Sequence, residues 1–353
     1  MTSPAVPSLA TNRRTGAFER RVARALAAHV DAAEPLLVAC SGGPDSLATF
    51  VAAARVRPSG TVTAAHFDHR LRPADEVARE RAIVQSVCDA LGIRLVAGRA
   101  ARRPADRSEA AAREARYRWL ARACGDLHAA TCATGHTLDD QAETVLLRLA
   151  RGTGLRGAGG MEGRSEWPVP VRGRRPVLVR PLLDVPRADI EAYLDALGVC
   201  AAHDPSNDTL DYARNRVRAR VLPELRAVNP RAAHQIAAFA AGAREDDLAL
   251  DAWAVAAFTQ LQNAEQPDGE SEVRLDRAGL LALPTAVARR VVRQAATRLG
   301  LTLERDQVAA ALHAAGARDR RAALGRGVEA VREGDTLALR RVAQISGNLP
   351  VTR

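Results

Sequence analysis

A glycine-containing turn early in the chain combines residue types that could bind phosphate. The turn consists of Ser41, Gly42, Gly43, Pro44, Asp45 and Ser46, after the apolar run 36–40 and before a helical pattern. Glycines let the backbone approach a ligand closely, and the unpaired N–H groups at a helix start favour an anion. Asp45 is a candidate Mg²⁺ ligand, because proteins usually hold this ion with carboxylates and substrate phosphates.

The turn differs from the common nucleotide-binding loops. It lacks the Gly-Lys-Ser/Thr ending of a P-loop and the G-x-G-x-x-G pattern of a dinucleotide loop. The chain contains no lysine, so its 51 basic residues are all arginine and a P-loop lysine is excluded. Ser-Gly-Gly-Pro-Asp-Ser instead resembles the pyrophosphate-binding loop of the ATP pyrophosphatases, which cleave ATP between the α- and β-phosphates. A plain strand-to-helix turn is the alternative interpretation.

Carboxylates and histidines follow two further apolar runs. The first run ends in His66, Asp68 and His69. The second is followed by a helix start that contains Gly135, His136, Asp139, Asp140 and Glu143. Because such positions share one edge of an open parallel sheet, the acids are predicted to hold a metal or a cationic amine there. Helix capping is the alternative for the two aspartates, and a structural role is the alternative for each histidine.

Alternating strands and helices must position these residues. Strands are predicted at 36–40, 60–67, 93–97, 128–134 and 176–181, and helices at 16–33, 47–54, 75–91, 108–123, 138–151 and 186–197. This alternation predicts an α/β fold with a doubly wound parallel sheet. Helices at 230–263, 285–299 and 305–315, with a hairpin around Gly334-Asp335, predict a smaller, mainly helical domain behind it.

The charge balance points to an acidic partner. The formal net charge is +10 and the isoelectric point is near 10.6, which favours binding to a polyanion such as nucleic acid. An arginine-rich codon usage is the alternative explanation. The segment 214–220 has arginine at every second position, so on a helix these side chains should fan over much of the surface. The glycine-rich loop 151–161 is either a mobile phosphate-contacting loop or a flexible connector.

Cysteine usage and hydropathy predict the compartment. The five cysteines are odd in number and none is spaced C-x-x-C, which predicts reduced thiols and argues against a zinc or iron–sulfur site. The sequence has neither a signal peptide nor an apolar run long enough to cross a membrane. We therefore expect a cytoplasmic protein without a membrane partner.

The motifs, taken in order, resemble those of the tRNA(Ile)-lysidine synthases. The series comprises the turn at 41–46, the segments 66–72, 112–117, 135–144 and 151–154, the turn Asp204-Pro205-Ser206-Asn207, and Arg214-Asn215-Arg216. The first and fourth motifs occur throughout the ATP pyrophosphatases. The last two are more particular to the lysidine enzymes. The resemblance covers residues 35–225 well and the helical region after them weakly.

The resemblance implies a two-step reaction on the wobble cytidine of tRNA(Ile) with a CAU anticodon. ATP first adenylates the C2 oxygen of the base and releases pyrophosphate, with Mg²⁺ as the cofactor. The ε-amine of free lysine then attacks C2 and expels AMP. The implied domain order is a flexible tail at 1–15, a catalytic ATP pyrophosphatase domain at 16–225, a helical linker at 226–265 and a tRNA-binding domain at 266–353.

Residue roles follow from the same resemblance. ATP is expected at Ser41, Gly42, Gly43, Pro44, Asp45, Ser46, His66, Arg113, Gly135 and His136. Asp45 and Asp140 are expected on Mg²⁺, and Asp139, Asp140 and Glu143 on lysine. Catalysis is assigned to Asp45, His69, Arg113, His136, Asp140 and Glu143, with His69 or His136 as the general base. Contacts with tRNA are assigned to Arg151, Arg156, Asn207, Arg214, Asn215, Arg216 and Arg218.

Other functions remain open at this stage. A tRNA cytidine thiolase of the same superfamily would be expected to use paired cysteines, which this chain does not place together. A small-molecule ligase would not need the arginine-rich segment, and a non-catalytic RNA-binding protein would not need the acidic cluster. The sequence leaves the oligomeric state undecided, with a homodimer as one option.

Overall fold

The chain folds into two compact units. The computed structural model describes residues 12–101, 109–202, 212–262, 271–317 and 321–342. The first unit comprises Met1–Ala243 and the second comprises Arg244–Arg353. The predicted turn at 204–207, including Asn207, lies outside the described residues.

A six-stranded sheet forms the centre of the first unit. Its strands are β1 (Leu36–Ala39), β2 (Val62–Asp68), β3 (Arg94–Arg99), β4 (Thr131–Ala133), β5 (Arg164–Ser165) and β6 (Val177–Val179). They lie in the order β3-β2-β1-β4-β6-β5, and every pairing is parallel except that of β5 with β6. The predicted α/β fold with a doubly wound parallel sheet is confirmed.

Helices cover both faces of this sheet. The described helices of the first unit before α10 (Ala232–Leu261) are α1 (Arg13–Ala27), α2 (Pro44–Val56), α3 (Ala74–Leu91), α4 (Glu109–Asp126), α5 (Leu138–Ala150), α6 (Leu155–Ala158), α7 (Arg187–Ala196), α8 (Ala213–Arg216) and α9 (Leu222–Val228). A π-helical turn at Val217–Val221 joins the last two. Helices α1, α2, α3 and α7 share one apolar core, whereas α4 packs with Trp167 into a second core.

Side chains of strand β1 pack into both cores. Leu36 and Val38 lie in the core with α2, while Leu37 lies in the core with α4. Successive side chains of a strand point to opposite faces of a sheet, so an uninterrupted apolar run is what a strand covered on both faces requires. This burial fixes the end of β1, and therefore the glycine turn, at the centre of the sheet.

The direction of chain progression reverses between β1 and β4. The chain runs from β1 outward to β2 and β3, then returns to place β4 on the other side of β1. A crevice opens at such a switch point beyond the carboxyl ends of the strands, and ligands bind there. The turn after β1 and the segment after β4 both open into this crevice.

Helix α1 begins at Arg13, inside the segment 1–15 that was predicted as a tail. The Asn12 side chain accepts hydrogen bonds from the N–H groups of Arg14 at 2.9 Å and Thr15 at 3.0 Å. The Thr15 hydroxyl in turn accepts one from the Asn12 N–H at 2.9 Å. This capping box satisfies the first donors of the helix, so residues that look like polar tail start α1.

The glycine-rich stretch 151–161 is attached to α5 rather than being a free connector. It contains the short helix α6. The Gln141 side chain donates to the Met161 carbonyl at 3.0 Å and accepts from the Met161 N–H at 2.7 Å. Arg148 donates to the carbonyls of Gly157 at 3.0 Å and Gly160 at 2.7 Å. Side chains of α5 therefore satisfy backbone groups that glycine-rich sequence leaves without partners.

The second unit combines helices with an antiparallel sheet. Its described elements after α10 (Ala232–Leu261) are β7 (Glu272–Asp276), α11 (Arg277–Ala282), α12 (Thr285–Arg298), α13 (Arg305–Gly316), β8 (Arg321–Gly325), β9 (Val328–Glu333) and β10 (Thr336–Arg341). The predicted hairpin is β9–β10, with Gly334 at a φ of 60°. Strands β7 and β8, which the sequence patterns did not indicate, extend it to four strands in the order β7-β10-β9-β8.

The two units divide between Ala243 and Arg244, within α10. The predicted linker 226–265 spans this division, and the predicted domain boundaries stay predictions. Ala233 of α10 packs with Leu138 and Ala142 of α5 and with Leu222. Among the described residues, no helix combines the length and the apolar character that a membrane span needs.

Candidate active site

The glycine turn is built to expose backbone groups. Gly42 has a φ of 95°, a conformation that favours glycine, and the extended Gly43 precedes Pro44 at the first position of α2. The Ser46 hydroxyl donates to the Gly43 carbonyl at 2.9 Å and accepts from the Ser41 N–H at 3.1 Å. Ser46 therefore stabilises the turn through these two hydrogen bonds. The N–H group of Leu47 donates to the Gly43 carbonyl at 3.0 Å, so those of Asp45 and Ser46 are the helix-start donors that can face a ligand.

Gly135, at the end of β4, lies directly against the start of α2. A Cβ at this position would come within 2.6 Å of the Asp45 carbonyl oxygen and 2.9 Å of the Ser46 nitrogen. These are backbone atoms, so they cannot move aside as a flexible side chain would. Glycine is required here because two strand ends meet in backbone contact, and the contact joins the predicted phosphate loop to the segment that carries His136.

One of the two carboxylate oxygens of Asp45 accepts a hydrogen bond. Its Oδ2 atom accepts a hydrogen bond from Arg187 of α7 at 2.8 Å, while its Oδ1 atom is buried without a partner in the described structure. Burial raises the pKa of this carboxyl above its usual value, and the Arg187 guanidinium opposes the rise. A buried carboxylate oxygen without a partner, beside the turn predicted to bind phosphate, suits a cation that is shared with phosphate.

Asp140 and Glu143 share two arginines. The Glu143 side chain is completely buried and accepts from Arg214 Nε at 2.7 Å and from Arg218 Nε at 2.6 Å. Both guanidinium groups also reach Asp140 Oδ1, at 2.8 Å and 3.2 Å respectively. Asp140 Oδ2 caps α5 through the Thr137 N–H at 2.9 Å, so this aspartate is both a cap and a site residue.

The electrostatic state of Asp140 follows from these neighbours. Burial alone would raise the pKa of Asp140, but Arg214, His136 and the Thr137 hydrogen bond bring it below the ordinary value. The carboxylate is therefore charged, and its charge is compensated by arginine.

Asp139 serves a different contact. Its Oδ2 atom accepts from the backbone N–H of Arg187 at 3.1 Å, and its Oδ1 atom pairs with Arg226 of α9. Asp139 thus fixes the start of α7 and contacts α9, while the next residue of α5 faces Arg214 and Arg218. The sequence places all three acids at one helix start, and the structure gives them different partners.

The arginine-rich segment presents two faces. Arg214 and Arg218 are half-buried and point inward to the carboxylates, whereas Arg216 and Arg220 are exposed. Positions four apart share a helical face, so a spacing of two divides the set into an inner and an outer pair. This differs from the expected even fan over the surface. Asn215 lies between the faces and is half-buried.

The three histidines are buried or half-buried beside the strand ends. His66 Nδ1 lies 3.1 Å from the Cys40 carbonyl, and His136 Nδ1 lies 2.9 Å from the Thr134 hydroxyl. Burial lowers the pKa of His66; burial, with Arg116 and Arg72 nearby, lowers the pKa of His69 to about 4. Burial, opposed by Asp140 and assisted by Arg180, lowers the pKa of His136 to about 3. All three imidazoles are neutral at physiological pH.

Arg113 and Arg116 lie over one buried tyrosine. Their guanidinium carbons are 5.0 Å and 5.2 Å from the centroid of the Tyr117 ring, within cation–π range. Arg113 is exposed. Arg151 and Arg156, on the glycine-rich loop, are exposed as well. The ATP contact of Arg113 and the tRNA contacts of Arg151 and Arg156 stay predictions.

Two arginines of the site were not singled out from sequence. Arg187 follows β6 at the first position of α7, and Arg226 lies in α9. A signal existed for Arg187, because residues after the carboxyl end of a parallel strand line the crevice. Arg226 has no comparable local signal.

The donor set fits a magnesium ion held jointly with phosphate rather than a metal held by protein alone. In the described part of the chain, no three His, Cys, Asp or Glu side chains are grouped to hold a metal. Asp45 Oδ1 is an open carboxylate oxygen, whereas both oxygens of Asp140 already accept hydrogen bonds. Asp45 would therefore hold the ion through Oδ1, and the assignment of Asp140 to Mg²⁺ stays a prediction.

Comparisons with known proteins identify the family of the chain. Residues 15–225 match the PP-loop domain family, so the chain is a PP-loop protein. The tRNA(Ile)-lysidine synthase of Salinispora arenicola is 44% identical over 293 residues, which cover 80% of this chain and 82% of the relative. That of Methylobacterium nodulans is 42% identical over 282 residues, covering 79% and 78%. The chain belongs to the tRNA(Ile)-lysidine synthase family.

A solved structure shares the fold. The U34-tRNA thiolase NcsA from Methanococcus maripaludis matches with a TM-score of 0.54 at 14% identity, over 64% of this chain and 78% of that chain. At this identity the likeness concerns the fold alone. The family membership indicates an ATP-using enzyme that acts on tRNA.

Proposed function

We propose that this protein ligates free lysine to C2 of the wobble cytidine of tRNA(Ile), through an adenylated base. One observation carries the proposal: an anion-binding turn and four carboxylates, all paired with arginine, occupy one edge of the sheet. Arg187 bonds to both Asp45 and Asp139, and Arg214 bonds to both Asp140 and Glu143. An enzyme that binds ATP phosphates and a cationic amine needs these two kinds of group side by side.

The first step activates a poor electrophile. The C2 oxygen of cytidine forms a bond to the α-phosphorus of ATP, and the bond from that phosphorus to the bridging oxygen breaks. Pyrophosphate leaves with the electron pair. The N–H groups of the turn at 41–46 stabilise the charge that develops on it. Mg²⁺, held by Asp45 and the phosphates, would neutralise part of the same charge.

The second step replaces the activated oxygen by nitrogen. The lysine ε-amine forms a bond to C2, the C2–oxygen bond breaks and AMP leaves; the amine loses a proton. Asp140 and Glu143 would hold the lysine ammonium, since they already hold two cationic side chains. Lysine binding there requires Arg214 or Arg218 to move. His69 and His136 stay candidates for the base, because both are neutral and can accept a proton.

Recognition of tRNA is assigned to exposed arginines. Arg151, Arg156 and Arg216 are exposed on the first unit. Guanidinium groups at such positions can bind backbone phosphates, and their binding should weaken as salt rises. The assignment of Asn207, and of the second unit, to tRNA remains part of this proposal, as does a homodimer.

The location is proposed on the state of the cysteines. All five are free, and four of them are buried. Free thiols of this kind are expected in a reducing compartment, which supports a cytoplasmic location.

A single assay tests the function. The protein is incubated with ATP, Mg²⁺, labelled lysine and tRNA(Ile), and AMP and labelled RNA are measured together. We expect AMP formation to depend on the tRNA and the label to enter it. Asp45→Ala should abolish AMP formation while tRNA binding stays intact. Incorporation of no label by the wild-type chain, with AMP still formed, would point to a different nucleophile and overturn the proposal.

A further inference from the structure

Arg187 connects two acids of the site and touches the phosphate loop. Its backbone N–H donates to Asp139 Oδ2 at 3.1 Å, and its Nη2 atom donates to Asp45 Oδ2 at 2.8 Å. The Arg187 side chain is 35% exposed and that of Asp45 18%. The backbone contact anchors the residue, so its guanidinium is held beside the turn at 41–46.

Two polar atoms of this ion pair are buried without a partner in the described structure. They are Nε of Arg187, a donor, and Oδ1 of Asp45, an acceptor. A buried donor or acceptor left unsatisfied is unfavourable, so such an atom marks a place where a polar ligand group would be stabilised. Here one of each kind lies on the two partners of a single salt bridge.

The guanidinium geometry indicates what the free donor would bind. Nε and Nη2 lie on the same edge of the planar group, and a carboxylate or phosphate that binds this edge bidentately uses both. Asp45 engages only Nη2. One of the two donors on this edge is therefore bonded to Asp45, and the other, Nε, can donate to an oxygen of an oxyanion.

Other cations near the site are already engaged. The chain has no lysine, so any fixed positive side chain at the turn is an arginine. Arg214 and Arg218 are paired with Asp140 and Glu143, and Arg226 is paired with Asp139. Among these arginines, Arg187 alone contacts a residue of the turn and keeps an unpaired buried donor.

We propose that Arg187 binds the pyrophosphate portion of ATP and stabilises it as it leaves. The inference rests on the proposed function. Asp45 Oδ1 would hold the cation and Arg187 Nε would donate to a phosphate oxygen, so the salt bridge offers one group for each part of magnesium pyrophosphate. As the bond from the α-phosphorus to the bridging oxygen breaks, negative charge grows on the departing group, and a fixed guanidinium donor becomes more favourable.

The test measures binding of magnesium pyrophosphate by titration calorimetry, with three variants. Arg187→Gln removes the charge, Arg187→Lys keeps it without the planar edge, and Arg21→Gln is the control. Arg21 also bonds to the α7 region, through Asp184 at 3.1 Å and Asp189 at 3.7 Å, but it does not contact the turn. Melting temperature is recorded for each variant.

We expect Arg187→Gln to weaken pyrophosphate binding at least tenfold and to slow AMP formation about 10²–10³-fold, as removal of one charge-stabilising donor does. Arg187→Lys should fall between it and the wild type, and Arg21→Gln should bind as the wild type does. Should Arg187→Gln fail to fold, the folded Arg187→Lys protein must still bind pyrophosphate more weakly.

The inference is overturned if Arg187→Gln binds pyrophosphate as tightly as the wild type does. If only Arg187→Lys folds, the same result in that variant overturns it. Arg187 would then only connect α7 to Asp45 and Asp139. The proposed function fails separately. If pyrophosphate binding depends on Arg187 while no labelled lysine enters tRNA, the phosphate assignment stands and the lysine reaction falls.

Discussion

Gly135 and Asp45 are in backbone contact across the switch point of the sheet: a Cβ on Gly135 would lie 2.6 Å from the Asp45 carbonyl oxygen. The contact joins the ends of β1 and β4, and with them the phosphate turn and the segment that carries His136. It makes the position of α2 depend on a residue 90 positions further along the chain.

Gly135→Ala should displace the start of α2. Because the clashing atoms belong to the backbone, relief requires the turn itself to shift, and we expect at least tenfold weaker ATP binding with the fold retained. Calorimetric titration of ATP measures this. Gly125→Ala in α4 is the control, since its Cβ would meet nothing within 4 Å. Equal ATP affinity in both variants would show that the close approach is not functional.

Glu143→Gln should destabilise the first unit. The substitution removes the charge that faces Arg214 and Arg218 at a side chain with no exposure, and loss of one partner from a buried ion pair costs about 3 kcal/mol or more. Urea unfolding measures the change. The control is Glu114→Gln. Glu114 pairs with Arg118, and their side chains are 42% and 56% exposed, respectively, so the change should alter stability by about 0.5 kcal/mol or less. Similar losses in the two variants would refute the buried-network interpretation.

Acidification should destabilise the fold through its histidines. Burial lowers the pKa of His69 to about 4 and that of His136 to about 3, against about 6.5 in an unfolded chain. Between these values the unfolded state binds more protons, so the free energy of unfolding should fall as pH drops below about 6.5. The loss is about 1.4 kcal/mol per pH unit for each group.

Urea unfolding at pH 7, 6 and 5 tests this slope. In His69→Asn one titrating group is removed, and the dependence on pH should become shallower. Asp140 cannot produce the same effect in this window, because arginine and hydrogen-bond partners hold its pKa below the ordinary value for an aspartate. A His69→Asn variant with the wild-type slope would show that His69 is protonated in the fold.

We expect the exposed Arg220, on the outer face of the segment 214–220, to contact a tRNA phosphate in addition to the arginines assigned above. Arg220→Gln changes an exposed side chain. It should weaken tRNA binding and reduce the slope of log affinity against log salt by about 0.7–0.9, the value for one lost phosphate contact. Arg79→Gln, an exposed arginine of α3 already paired with Asp75, should leave the slope unchanged. Filter binding at several salt concentrations measures both, and equal slopes would remove the outer face from the tRNA site.

Local patterns were sufficient to predict the chemistry-bearing segments. The small-residue turn 41–46, the helix start at Leu138 and the alternation of apolar runs with helical stretches are all properties of neighbouring residues. They predicted the α/β sheet, and the Gly334-Asp335 dipeptide predicted the hairpin. The family was indicated by the resemblance of the whole motif series, above all of the segments 204–207 and 214–216. Two details of the secondary structure were not predicted. Asn12 caps a helix inside the segment predicted as a tail, and the short strands β7 and β8 were not indicated.

The order of residues along the chain is enough to place acids and glycines at strand ends. The partners of those acids depend on the fold. Arg187 lies 142 residues from Asp45, and Arg214 lies 71 residues from Glu143. Such pairs form because crossovers of the parallel sheet bring distant strand ends to one edge, and no periodicity in the chain encodes which of 51 arginines will meet which carboxylate there.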